Sequence, residues 1–99
     1  MLKWLFRRAA RTPQKVTTGR FEIERDGEVA YLEYSIAGQV LGLIHTEVPE
    51  KLRGHGLSTQ LAETALRWAR ENGFKVDVIC PYVHKYLAGH AEYSDLILR

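Results

Sequence analysis

Cysteine and long apolar runs are the two features that this chain most clearly lacks. Cys80 is the only cysteine among 99 residues, which excludes an internal disulfide and a cysteine-rich zinc site of four ligands. A chain without disulfides is typical of a reducing compartment, and we expect a cytoplasmic protein. No apolar run approaches the ~20 residues that a membrane-spanning helix requires. The length is that of one folded domain.

Acidic residues are absent from the start of the chain. Residues 1–20 carry six Lys and Arg residues and no Asp or Glu, whereas residues 21–99 carry eight basic and twelve acidic residues. A nucleic-acid-binding domain is not expected, because its positive charge should lie on the folded surface. We assign residues 1–19 to a basic N-terminal appendage and residues 20–99 to the domain. Residues 1–11 could form an amphipathic helix on a membrane surface, but we favour a frayed terminus or a helix packed on the domain.

The pattern of apolar residues predicts the order of the elements. Alternation with a period of two indicates three strands between residues 21 and 48, joined by short turns into an antiparallel meander. Helical spacing then predicts a helix over residues 56–72, with Gly73 as its C-terminal cap. A fourth strand over residues 74–80 and a short helix within residues 82–91 follow. Residues 94–98 fit either a turn or a short strand.

A glycine-rich segment, Arg53-Gly54-His55-Gly56-Leu57-Ser58, lies between the third strand and the helix. Glycines let the backbone approach a ligand closely, and the unpaired N–H groups of a helix start attract anions such as a pyrophosphate. Arg53 could add a charge-assisted contact. From spacing alone, a solvated connection capped by Ser58 is the alternative. The segment is neither a nucleotide-triphosphate P-loop nor a dinucleotide fingerprint, because it has no Gly-Lys-Ser/Thr and no βαβ unit.

The arrangement Arg53-x-x-Gly56-x-Ser58 resembles the Gln/Arg-x-x-Gly-x-Gly/Ala motif of the GNAT superfamily of acetyl-CoA-dependent N-acetyltransferases. Serine replaces the last small residue of that motif. The flanking sequences are similar to those of a minimal, uncharacterised branch of the superfamily: His45-Thr46-Glu47-Val48-Pro49 and Cys80-Pro81-Tyr82-Val83-His84-Lys85-Tyr86. The resemblance covers residues 20–98.

The resemblance implies a fold and a cofactor. The fold is α+β, a compact mixed sheet with an antiparallel three-strand meander, the signature helix, a fourth strand parallel to and splayed from the third, and a short C-terminal helix. Acetyl-CoA (coenzyme A) is the implied cofactor, with its pyrophosphate on the loop amides and its pantetheine arm between the splayed strands. The expected cofactor-binding residues are Val48, Arg53, Gly54, His55, Gly56, Leu57, Ser58 and Lys85.

Two catalytic candidates, Cys80 and His45, lie where the resemblance places the thioester. In one hypothesis Cys80 is a nucleophile that takes the acetyl group, with His45 or His84 as a base. In the other, His45 or Glu47 removes the proton of the acceptor amine for direct transfer. The alternatives are a buried cysteine that packs as a small apolar residue and a structural histidine. No metal site is expected, since the histidines show no ligand spacing.

We therefore expect an acyl-CoA N-acyltransferase that transfers an acetyl group from acetyl-CoA to a primary amine of unknown identity. The alternative is a non-catalytic module that binds acetyl-CoA or CoA, for example as a sensor. The expected partners are acetyl-CoA and the amine acceptor, without nucleic acid and without membrane contact through residues 1–11. A monomer or a weak homodimer is expected.

Overall fold

The computed structural model describes residues 2–3 and 16–98. The elements are, in chain order, β1 (Leu2–Lys3), β2 (Val16–Arg25), β3 (Glu28–Ala37), β4 (Val40–Glu47), a 3-10 helix (Glu50–Leu52), α1 (Leu57–Glu71), β5 (Lys75–Val78), α2 (Pro81–Leu87) and a second 3-10 helix (Ala91–Leu96). Within these residues, no helix is long and apolar enough to cross a membrane.

One mixed sheet organises the chain, with the strand order β1-β2-β3-β4-β5. Strands β2, β3 and β4 form the expected antiparallel meander, and β1 pairs antiparallel with β2. Helix α1 connects β4 to β5, and β5 pairs parallel with β4. The predicted α+β class and the parallel fourth strand of the domain are thereby confirmed.

The core lies between α1 and one face of the sheet. Alternation along the strands turns Phe21, Leu32 and Leu41 to this face, where each is at most 1% exposed. The helix contributes Leu61 and its neighbours at helical spacing, likewise buried. The opposite face of the meander carries charged and aromatic side chains. Arg20 Cζ, for example, lies 4.0 Å from the centroid of the Tyr31 ring. The sheet thus has one apolar and one polar face.

Strand β2 begins earlier than the sequence indicated. Its pairing with β3 starts at Val16 opposite Ala37, so residues 16–19 are strand although the sequence placed them in the appendage. Alternation is weak there because Thr17, Thr18 and Gly19 carry no large apolar side chain. The assignment of residues 1–19 to an appendage stays a prediction. The helix considered for residues 1–11 lies outside the described residues, except for Leu2–Lys3, whose backbone is strand.

The C-terminal part follows the predicted order with different bounds. Gly73, at φ 75°, ends α1 as expected, since Phe74 N–H donates to the Ala69 carbonyl at 2.9 Å. Helix α2 ends at Leu87 rather than near residue 91. Residues 94–98, which fitted either a turn or a short strand, contain elements of both. The second 3-10 helix ends at Leu96, and Ile97 then forms a parallel bridge with Val76.

Candidate functional site

The site lies where the parallel strands β4 and β5 part. Their pairing runs from Val40 opposite Lys75 to Leu43 opposite Val78 and ends there. The Leu43 carbonyl accepts hydrogen bonds from both Ile79 and Cys80, each at 2.9 Å. One residue further, the register between β3 and β4 shifts, and such a bulge bends the strand that carries it. Residues 45–47 of β4 are paired with β3, and Ile44 is the extra residue at the shift. No described strand pairs with residues 44–47 on the other side.

A cleft of ≈ 350 Å³ opens beside this parting. It runs from the end of β4 to the first turn of α1 and is flanked by the start of α2. Its lining residues are His45, Thr46, Glu47, Val48, Leu52, Arg53, Gly54, Gly56, Leu57, Ser58 and Tyr82. The cleft thus joins one candidate catalytic residue to most of the glycine-rich segment.

The glycine-rich segment presents unpaired main-chain donors to the cleft. Gly54 and Gly56 have φ values of 82° and 74°, which residues other than glycine rarely adopt. Gly56 is the N-cap of α1, and the first helical bond runs from Gln60 N–H to its carbonyl. The N–H groups of residues 57–59 have no hydrogen-bond partner among the described residues, and no side chain caps the helix. The alternative in which Ser58 caps the helix is therefore wrong, and the helix start carries a partial positive charge.

Arg53 is held at the edge of the same corner. Its Nε donates a hydrogen bond of 3.0 Å to the Val48 carbonyl, which ties the loop to the end of β4. The guanidinium is exposed and lines the cleft, so its two terminal nitrogens remain available for an anion. Two cationic features, the guanidinium and the helix start, therefore meet at one end of the cleft.

His45 and Glu47 occupy the other end of the cleft as a pair. Their side chains project from the polar face of β4, and His45 Nε2 lies 3.2 Å from Glu47 Oε1. Both are about half exposed, at 52% and 47%. The ring of Tyr31 meets the His45 ring edge-on at 6.3 Å. When Nε2–H donates to the carboxylate, the lone pair of Nδ1 is free to accept a proton.

Cys80 lies behind the cleft rather than in its wall. The residue is fully buried, and its Sγ is 3.1 Å from Thr46 Oγ1. Thr46 lines the cleft, whereas Cys80 does not. In this arrangement a ligand in the cleft meets Thr46 before it meets the thiol. The proposed role of Cys80 as a nucleophile stays a prediction.

The other residues expected from the sequence divide into two groups. Val48, Leu57 and Ser58 line the cleft with the two glycines, whereas the exposed side chains of His55 and Lys85 do not. The sequence missed three lining residues: Thr46, Leu52 and Tyr82. Alternation in β4 could have indicated Thr46, because it is the inward residue between two outward candidates. Tyr82 reaches the cleft only through the position of α2, for which the sequence carries no signal.

The sheet order, the parted parallel strands and the uncapped helix together define a GNAT-like α+β fold. A family profile described as GCN5-related N-acetyl-transferase matches residues 20–96. The chain belongs to this family, which confirms the resemblance seen in the motif.

Relatives with curated descriptions carry the name Protein NATD1. The protein from Gallus gallus is 37% identical over 62 residues, which are 63% of this chain and 56% of the relative. The protein from Homo sapiens is also 37% identical over 62 residues, covering 63% of this chain and 54% of the relative. The protein from Danio rerio is 33% identical over 84 residues, covering 80% and 76%. The match to the first two spans little more than half of their length.

Proposed function

We propose that this protein is an acyl-CoA N-acyltransferase that transfers the acetyl group of acetyl-CoA to a primary amine. One observation carries the proposal: a single cleft joins a cationic, donor-rich corner to a histidine–carboxylate pair. The corner suits two linked phosphates, and the pair suits removal of a proton. Membership in an N-acetyltransferase family supports the same reaction class.

Binding would use main-chain groups more than side chains. The N–H groups of residues 57–59 would hold the pyrophosphate, since they are directed outward and share the positive end of the helix dipole. The Arg53 guanidinium would add a charge-assisted contact. The open side of residues 44–47 would pair with the amide groups of an extended pantetheine arm, as a further strand would.

The chemistry would divide between the cofactor and His45. Acetyl-CoA supplies an activated acyl thioester. His45 would take a proton from the ammonium group of the acceptor, and Glu47 would stabilise the imidazolium through the existing 3.2 Å contact. A C–N bond to the acetyl carbon then forms while the C–S bond breaks. CoA leaves with the electron pair of the C–S bond and takes up the second proton that the nitrogen loses as the amide forms.

Direct transfer is the mechanism that this geometry favours. The His45 side chain is half exposed at the cleft, where an amine can reach it, whereas the Cys80 thiol is fully buried behind Thr46. A nucleophilic Cys80 would require Thr46 to move before the thiol could meet a thioester. No such movement is needed for His45 to act as a base.

The test combines calorimetry with an assay of CoA release on the 99-residue chain. Acetyl-CoA and CoA should bind with competition between them, and added primary amines should produce free CoA above the rate in buffer. An absence of heat and of competition at millimolar acetyl-CoA, with well-folded protein, overturns the proposal. Binding without release across a broad amine panel supports the non-catalytic CoA-binding module instead.

A further inference from the structure

Thr46 and Cys80 form a side-chain contact across the parting of β4 and β5. We propose that Thr46 is a catalytic residue of the acetyl transfer proposed above, donating a hydrogen bond to the thioester carbonyl oxygen, with Cys80 as its positioning residue. This inference rests on the proposed function. Under this proposal Cys80 acts by orienting Thr46 and forms no covalent bond to the acetyl group.

The contact lies beyond the last backbone pair of the two strands. Backbone pairing ends at Leu43, and Thr46 is three residues further along β4. Its Oγ1 nevertheless lies 3.1 Å from Cys80 Sγ. The cysteine is itself anchored, because its N–H donates to the Leu43 carbonyl at 2.9 Å and its side chain is fully buried. A fixed thiol therefore orients a hydroxyl that borders the cleft.

The hydrogen bond can run in either direction, and the proposal requires the thiol as donor. A hydroxyl has one hydrogen to donate and two lone pairs to accept, whereas a thiol is a weak donor and a weak acceptor. Within the described residues, Thr46 Oγ1 is the partner that the buried Sγ has. When the thiol donates to Oγ1, the hydroxyl hydrogen remains free to point into the cleft. The opposite direction would direct that hydrogen away from the cleft.

The free hydrogen has a defined use in acyl transfer. As the amine nitrogen attacks, negative charge develops on the carbonyl oxygen, and a preorganised donor stabilises that charge. No proton passes through Thr46 in this step. The proton of the amine goes to His45, the C–N bond forms, and CoA leaves with the electrons of the C–S bond. His45 would thus act on the amine, and Thr46 would act on the thioester.

Substitutions separate this role from a nucleophilic cysteine. We expect Thr46→Val to lower kcat about 100-fold, because loss of one such donor costs 10²–10³ in rate, with the KM for acetyl-CoA within about threefold. Thr46→Ser should restore most of the rate. Thr64→Val is the matched control, since it makes the same exchange at a buried threonine of α1 that does not line the cleft.

Cys80 variants complete the kinetic test. Cys80→Ser keeps a donor to Thr46 and should remain within about tenfold of the wild-type kcat, whereas Cys80→Ala should lose more. Adding Cys80→Ala to Thr46→Val should cause little further loss, because the cysteine acts through the threonine. The inference is overturned if Thr46→Val matches the Thr64→Val control, or if Cys80→Ser is inactive and acetylated Cys80 accumulates in the wild type.

A second readout needs neither cofactor nor turnover. The chain has one cysteine, so Raman spectroscopy of the free protein reports the S–H stretch of Cys80 alone. This stretch should lie at low frequency in the wild type and in Thr64→Val, and should rise in Thr46→Val when the acceptor is lost. An equal frequency in the wild type and in Thr46→Val rules out the thiol as donor. If the wild type neither binds acetyl-CoA nor releases CoA, the proposed function fails even where the spectrum shows the hydrogen bond.

Discussion

At the scale of single residues, the proposed removal of a proton depends on His45 and Glu47. His45 stands on the polar face of β4, with the Glu47 carboxylate on one ring nitrogen and the edge of Tyr31 beside the ring. A carboxylate in this position orients the imidazole. The half-exposed ring leaves space for an acceptor to approach from solvent.

Replacement of His45 tests this use of the pair. We expect His45→Gln to lower kcat for CoA release about 10²- to 10⁴-fold, the range of general-base catalysis, with little change in the calorimetric affinity for acetyl-CoA. His84→Gln is the matched control, because His84 is an exposed histidine of α2 that does not line the cleft. A His45→Gln variant as active as His84→Gln would exclude His45 as the base.

Tyr86, one turn along α2 from Tyr82, gives a pH dependence of stability. Burial raises the pKa of Tyr86 from 10.0 to about 12, and the negative charge of Glu63 adds to the effect. The raised pKa means that folding favours the neutral phenol. Its contribution to stability should therefore be complete below pH 10 and be lost as the pH rises towards 12.

Chemical unfolding at several alkaline pH values measures this loss. Tyr86→Phe cannot ionise at this position, so its free energy of unfolding should fall less between pH 10 and 12 than that of the wild type. Tyr82→Phe, at a tyrosine that is 58% exposed, serves as the control and should follow the wild type. Identical pH profiles for the two variants would contradict the assignment.

At the scale of elements, the start of α1 depends on the backbone conformation of Gly56. Gly56 must adopt a φ of 74° for the chain to enter the helix with its N–H groups facing the cleft. Added side-chain atoms at this residue meet nothing within 4 Å, so the constraint is the backbone conformation rather than lack of space. Such a conformation costs a residue with a side chain about 1–2 kcal/mol.

Gly56→Ala should therefore lower Tm by about 4–8 °C, the shift that ~1 kcal/mol produces in a domain of this size. It should also weaken CoA binding, because relief of the strain turns the first amides away from the phosphates. Gly89→Ala is a suitable control, since its φ is not in the left-handed region and an added Cβ meets only the Tyr86 carbonyl at 4.0 Å. Equal effects of the two exchanges on both Tm and binding would contradict this account.

A salt bridge attaches the C-terminal 3-10 helix to α1. Arg70 donates to both carboxylate oxygens of Asp95, at 3.2 and 2.9 Å, and Lys75 Nζ donates to the Asp95 carbonyl. The hydrogen bond from Arg70 lowers the pKa of Asp95 below its ordinary 3.8. The stabilisation is thus present above that value and is lost as the pH falls through the lower pKa of the folded state.

Arg70→Met should loosen this attachment. We expect faster hydrogen exchange at the Leu98 amide, which bonds to the Val76 carbonyl just after the 3-10 helix. Arg67→Met provides the comparison, because Arg67 makes a longer, exposed contact of 3.7 Å to Glu63 within the same helix. Exchange at Leu98 that is equally fast in both variants would argue against a role for the Arg70 bridge.

At the scale of the whole molecule, the boundary of the domain can be tested by truncation. Residues 16–19 pair with residues 34–37 of β3, although the sequence assigned them to the appendage. We expect deletion of residues 1–19 to lower Tm more than deletion of residues 1–15, because the longer deletion removes four paired residues of β2. Calorimetric melting of the two truncated proteins measures the difference. Equal Tm values would support a boundary at residue 20.

Much of the fold was predictable because its signals are periodic and local. Strand β3 lies within the predicted meander, and α1 differs from its prediction by one residue at each end. Gly73 ends the helix for a reason that belongs to glycine itself. The start of β2 was missed because its first residues carry little hydrophobic alternation. Helix α2 ends at Leu87, ahead of the predicted residue 91, because the chain turns there and the Gly89 N–H bonds to the Tyr86 carbonyl.

The candidate site was predictable only in part. Residue type and motif predicted His45 and the glycine-rich segment as site residues, and the structure places them in one cleft. The sequence analysis also expected Lys85 and His55 to bind the cofactor. Neither residue lines the cleft, and their roles stay predictions. The relation of Cys80 to Thr46 joins residues 34 positions apart, and no local pattern links them.

Residue types and their spacing by themselves determined the succession of strands and α-helices from β2 to α2 and the backbone conformation of the glycines before α1. These properties follow from backbone preferences and from the alternation of apolar side chains, which act over a few neighbouring residues. Only the tertiary structure decided that β4 and β5 part at Leu43, that the thiol lies behind the hydroxyl, and that Tyr82 borders the cleft. These properties depend on how distant elements pack, because burial and contact across a sheet are set by the whole core.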